Sequence, residues 1–79
     1  MEILLFGITR DIVGKSRLSI PEHESIKTVG GLKAWLGMKF PAMSELSSLA
    51  VAVNSEYAGD ELTLDKNSEI ALIPPVSGG

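Results

Sequence analysis

Two strand-length apolar runs stand near opposite ends of the chain, Ile3-Leu4-Leu5-Phe6 and Ile70-Ala71-Leu72-Ile73, and one segment of helical spacing lies between them. Gly7 ends the first run and Pro74-Pro75 end the second, since proline has no N–H to give a sheet ladder. Unbroken apolar runs of this length read as strands buried on both faces. The two most apolar strands belong side by side at the centre of one sheet. A chain of 79 residues forms a single domain near the lower limit of what folds without staples. It has no cysteine, so no disulfide helps, and the packing of these runs must carry the fold.

The remaining elements follow from pattern. Ile8 to Gly14 reads as a connector turning at Gly14, and Arg17-Leu18-Ser19-Ile20 alternates as a half-exposed second strand that Pro21 stops. These first two strands make a plausible hairpin. Thr28 is a good N-cap, and Val29, Leu32, Trp35, Leu36 and Phe40 recur on one side of a helix that Pro41 ends. Lys27, Lys33 and Lys39 fall largely on its other faces. Gly30-Gly31 costs that helix about 1 kcal/mol per glycine relative to alanine, so tertiary packing must hold its first turn. Leu49 to Val53 is a third strand closed by Asn54-Ser55; a short fourth segment begins at Tyr57 and continues through Leu62-Thr63-Leu64. Asp65-Lys66-Asn67-Ser68 is a turn by composition. One helix on a mixed sheet of four to five strands is an α+β arrangement, that of a ubiquitin-like β-grasp. Residues 1–73 form the body and 74–79 an extended tail.

Several kinds of chemistry are excluded. Seven basic against ten acidic residues give a net charge of −3, and no basic run exists to neutralise nucleic-acid phosphates. No apolar stretch approaches the ~20 residues of a membrane span, and the N-terminus lacks the features of a signal peptide. A cytoplasmic protein is expected. Gly30-Gly31 lacks the surroundings of a phosphate loop, and Asp60, Glu61, Asp65 and Glu69 lack calcium-loop spacing. No metal site is expected. His23, the only histidine, sits in a polar loop and reads as surface. Without cysteine, any sulfur chemistry must use sulfur carried on another group.

The tail is the chemical feature. Gly78-Gly79 offers a terminal carboxylate that no Cβ shields. Pro74-Pro75 favour a stiff, extended root, and Val76 to Gly79 add a reach of roughly 13 Å at ~3.3 Å per residue. Such an arm can enter a narrow site and present its carboxyl carbon there. A carboxylate is a poor electrophile, but its adenylate reacts with sulfide, giving a thiocarboxylate, or with other nucleophiles, giving an ester or amide.

The ending Ile73-Pro74-Pro75-Val76-Ser77-Gly78-Gly79 resembles the small, sulfur-carrier subunit family of molybdopterin synthase, which ends in a Pro-Pro-Val-Ser/Thr-Gly-Gly run. The stretch from Leu4 to Gly14 is similar to that family's first strand and following loop, and Ala52-Val53-Asn54 to the end of its third strand. The turn Asp65 to Glu69 lacks the Asp-Gly-Asp-Glu common there, and Gly30-Gly31 is unusual.

The resemblance implies that an activating enzyme of the ubiquitin-activating kind adenylates Gly79 with ATP, and that the chain binds no cofactor itself. The resulting thiocarboxylate gives its sulfur to cyclic pyranopterin monophosphate inside the large synthase subunit, in a heterotetramer of two small and two large subunits. Gly79 carries the sulfur, Gly78 provides clearance, and Ser77, Val76, Pro75 and Pro74 lie in the partner's site or orient the arm. Leu5, Leu72 and Ile73 are candidates for a docking patch, with plain core as the alternative for each. On this reading the chain is not an enzyme alone. A Gly-Gly end is shared with protein modifiers joined to lysines and with thiamine-pathway sulfur carriers. An interaction domain with an inert tail is the remaining reading.

Overall fold

The computed structural model describes residues 1–46 and 49–74, with the side chain of residue 23 excepted. Five strands and two α-helices follow one another as β1 (Glu2–Leu5), α1 (Gly7–Val13), β2 (Arg17–Ser19), α2 (Val29–Lys39), β3 (Ala50–Val53), β4 (Glu56–Ala58) and β5 (Ile70–Ile73). Short 3-10 turns at Glu22–Glu24 and Pro41–Glu45 flank α2.

The strands form one sheet in the order β2-β1-β5-β3-β4. The two terminal runs are neighbours, as expected, and pair in parallel with Ile3 opposite Ile70 and Leu5 opposite Leu72. All other pairings are antiparallel. Their burial alternates, however, rather than covering both faces: Ile3, Leu5, Ile70 and Leu72 are buried, while Leu4, Ala71 and Ile73 are only half-buried. Side chains in a strand point alternately to the two faces. One face joins Val51 and Val53 to Val29, Leu32 and Leu36 of α2 and to Met43 in a single core. The other face carries no residue of that core.

The expected connector is a helix. Phe6 donates its N–H to Thr9 Oγ1 at 3.0 Å, and the Thr9 hydroxyl donates back to the Phe6 carbonyl at 2.6 Å, which closes the first turn of α1. Gly14 ends it in a left-handed conformation, its N–H bonded to the Arg10 carbonyl at 2.7 Å. Ile12 and Val13 pack against the core. β1 and β2 therefore pair antiparallel across a helix rather than a tight turn.

Thr28 caps α2, accepting the Gly31 N–H at 3.1 Å. The fourth segment ends as a strand at Ala58 and then runs along the start of α2. There the Leu62 and Asp60 carbonyls accept the Val29 and Gly30 N–H groups at 3.1 and 2.9 Å, which would otherwise lack partners at a helix start. Thr63 bridges Thr28, and Leu64 N–H donates to the Lys27 carbonyl at 2.7 Å. A Cβ on Gly30 would come within 3.3 Å of Asp60. The glycine admits the chain that holds the helix.

Asn54 and Ser55, both at positive φ, form the two-residue turn between β3 and β4. Asn54 also accepts the Glu69 N–H at 2.9 Å and donates its own N–H to the Glu69 carbonyl at 2.8 Å. That ties the hairpin to the start of β5. No helix among the described residues is long and apolar enough to cross a membrane.

Candidate functional site

Pro75, Val76, Ser77, Gly78 and Gly79 lie outside the described residues, so the site is built from its root. β5 is the central strand, held by β1 on one side and β3 on the other through Ile73 opposite Ala50. Pro74 follows it directly, half-buried, and ends the ladder. The root thus follows the middle strand of the sheet, which is paired on both sides.

Beside Pro74 stands Gly7, at φ 55°, where the chain turns from β1 into α1. A Cβ there would lie 3.0 Å from Pro74 Cγ. Phe6 and Ile8 flank that glycine, each 48% exposed. Large apolar side chains therefore stand open on the chain to either side of the tail root's contact.

Leu5 (2% exposed) and Leu72 (fully buried) belong to the core, which leaves them no surface to offer a partner. The run of four apolar residues concealed the alternation. Ile73 is half-buried on the opposite face with Leu4 and Ala71. Across that face Arg17, Leu4, Ala71, Ala52 and Tyr57 stand in one row from edge to edge. Tyr57, 76% exposed, closes the row. The row is largely small and apolar, with polar or amphipathic groups at its ends, which suits a docking surface. The exposure of Phe6 and Tyr57 and the outward face of Leu4 were not singled out in the sequence. Counting odd and even positions outward from Ile3 would have separated Leu4 and Phe6 from the core.

Arg17 pairs with Glu2 at 3.2 Å on the β1–β2 edge, and Lys33 with Asp60 at 2.9 Å beside the start of α2. Both pairs are largely exposed, and such pairs contribute only about 0–1 kcal/mol. Trp35 donates its indole N–H to the Glu24 carboxylate, and Lys39 Nζ lies 5.8 Å from its ring centroid. The first contact ties α2 to the preceding turn, and the second lies within α2 itself. Glu61, Asp65 and Glu69 are exposed. His23 lies in the Glu22–Glu24 turn. Among the described residues no group of three or more His, Asp or Glu gathers as a metal site.

The model of the ThiS family matches residues 3–79 of this chain. The molybdopterin synthase sulfur carrier subunit of Arabidopsis thaliana is 35% identical over 80 residues, covering 100% of this chain and 82% of that protein. Its counterpart of the same name in Caenorhabditis briggsae is 35% identical over 82 residues, covering 100% and 96%. Among solved structures, the small archaeal modifier protein 1 of Haloferax volcanii superposes with a TM-score of 0.72 at 26% identity, covering 95% of each chain. With a family model that matches residues 3–79, the chain belongs to the ThiS family, and these two relatives, which align with all of it, are molybdopterin synthase sulfur carrier subunits.

Proposed function

We propose that this chain is the sulfur carrier of a molybdopterin synthase, with residues 1–73 as the body and 74–79 as the arm that carries sulfur on Gly79. The full-length match to sulfur carrier subunits is the observation that carries the reading. The placement of Pro74 at the end of the central strand supports it, because an arm rooted there takes its direction from the rigid core.

The chemistry needs an activating partner. Attack of the Gly79 carboxylate on the α-phosphorus of ATP gives an acyl-adenylate and releases pyrophosphate. A sulfide equivalent then displaces AMP and leaves a thiocarboxylate. In the large subunit the thiocarboxylate sulfur bonds to a carbon of cyclic pyranopterin monophosphate as that carbon's bond to oxygen breaks, the oxygen leaving with its phosphate or as water, and hydrolysis of the acyl–sulfur bond returns Gly79 as a carboxylate. Two such cycles supply the two sulfurs of a dithiolene. The ATP belongs to the activating enzyme, and this chain binds no cofactor and catalyses no step alone.

The open sheet face around Leu4, Ala71, Ile73 and Tyr57, together with Phe6, is the docking surface in this reading, in place of Leu5 and Leu72. Because one face and one arm serve both the activating enzyme and the large subunit, the two bind in turn. The assembly is a heterotetramer of two small and two large subunits, acting in the cytoplasm.

The reading is tested by removing Gly79, or by adding one residue after it, and assaying sulfur transfer with the activating enzyme and large subunit present. Either change abolishes transfer while leaving the fold intact; full activity with either would overturn the reading. The modifier protein of similar fold favours a second reading, in which Gly79 is joined to lysines of other proteins. Conjugates isolated from cells would support it.

A further inference from the structure

We propose that Gly7 is a positioning residue for the tail: its missing side chain forms the notch in which Pro74 sits, and that seat sets the direction in which the arm leaves the body. The inference rests on the sulfur-carrier reading and goes beyond it by assigning a role to a residue of the body.

Three observations carry it. A Cβ at Gly7 would lie 3.0 Å from Pro74 Cγ, closer than side-chain atoms normally approach. Neither partner is free to yield. Gly7 is held between Phe6 and Thr9, whose two mutual hydrogen bonds of 3.0 and 2.6 Å clamp the start of α1, with Thr9 fully buried. Pro74 is held by β5, paired on both sides up to Leu72 and Ile73. Gly7 also has φ 55°, a left-handed conformation that costs most residues about 1–2 kcal/mol but that asparagine adopts more readily. Conformation and contact can therefore be separated by mutation.

The consequence is one of leverage. Five residues separate Pro74 from the chain end, so a tilt of roughly 10° at the root moves an extended tip by about 3 Å. Displacements of about 1 Å in a reacting group can cost on the order of a hundredfold in rate. A side chain at position 7 acts on the tip without touching it.

Gly7→Asn adds a side chain over Pro74 while tolerating the backbone conformation. Pro74→Ala removes Cγ. With purified activating enzyme and ATP, adenylation of Gly79 is followed for the wild type, both single variants and the double variant, beside thermal melting of each. Gly7→Asn is expected to lower kcat by at least about tenfold with KM little changed, because the open sheet face still docks. Adding Pro74→Ala should restore kcat to the level of Pro74→Ala alone. A Gly7→Asn chain that turns over like the wild type, one that changes only KM, or a double variant without rescue would each overturn the proposal. A nuclear Overhauser contact between the Gly7 α-protons and the Pro74 ring in the wild type is expected, and its absence would overturn the proposal even if a variant failed to fold. A wild-type chain that is not adenylated at all would instead sink the sulfur-carrier reading, and this inference with it.

Discussion

Leu5 and Leu72 stand opposite each other in the parallel ladder between β1 and β5, both buried in the core. One residue beyond Leu5 is the exposed Phe6, and two beyond Leu72 is Pro74. The same pair therefore closes the core next to the end of β5, where Pro74 stops the ladder. Val51 completes the row across β5.

Leu72→Ala is expected to lower folding stability by about 2–5 kcal/mol, because the core around a fully buried leucine at the sheet centre cannot collapse freely. Chemical denaturation measures it. A loss below about 1 kcal/mol would mean that the strand is not packed as described.

The two glycines in the first turn of α2 should respond in opposite directions. At Gly31 the nearest atom to a new Cβ is Thr28 Oγ1 at 3.4 Å, an ordinary contact, so Gly31→Ala should stabilise by about 0.5–1 kcal/mol through helix propensity. At Gly30 the Asp60 Cβ and carbonyl stand at 3.3 Å, and the carbonyl also accepts the Gly30 N–H. Gly30→Ala should therefore forfeit that gain and destabilise. Paired thermal melts decide, and equal shifts would contradict the close approach.

Thr9→Val keeps the shape of a fully buried side chain but leaves the Phe6 N–H and carbonyl without the hydroxyl. A loss of about 1–3 kcal/mol is expected, with earlier hydrogen exchange at Phe6 and in α1. Unchanged exchange there would remove the clamp from the account.

Tyr57→Ala and Met38→Ala test the docking face against a control. Both residues are highly exposed, at 76% and 81%, so neither change should move stability by more than about 0.5 kcal/mol. Tyr57 stands in the open-face row and Met38 on α2. Tyr57→Ala should weaken binding to the large synthase subunit by about tenfold, with Met38→Ala neutral in calorimetric titration. The reverse pattern would move the interface to the helix side.

Much of this was legible in the residues. The two apolar runs located the centre of the sheet, Thr28 the start of α2, and Pro74 the end of β5. What escaped had physical causes. The α1 segment is short and contains Ile8, Thr9, Ile12 and Val13, β-branched residues of modest helix propensity; capping by Thr9 and Gly14 and packing of Ile12 and Val13 hold it. In Ile3 to Phe6 uniform hydrophobicity concealed which side chains face the core, so Leu5 and Leu72 looked available for docking and Leu4 and Phe6 did not. Leu62 to Leu64 resembled a strand but spends its backbone bonds on the start of α2, a pairing no local pattern discloses.

The most direct test of the sulfur-carrier reading is the intact mass of the chain isolated from its native cells, with the C-terminal peptide sequenced. Exchange of one oxygen for sulfur, confined to Gly79, is the expected result. Gly79 found only in amide linkage to lysines of other proteins, with no sulfur-bearing form in freshly prepared material, would contradict it.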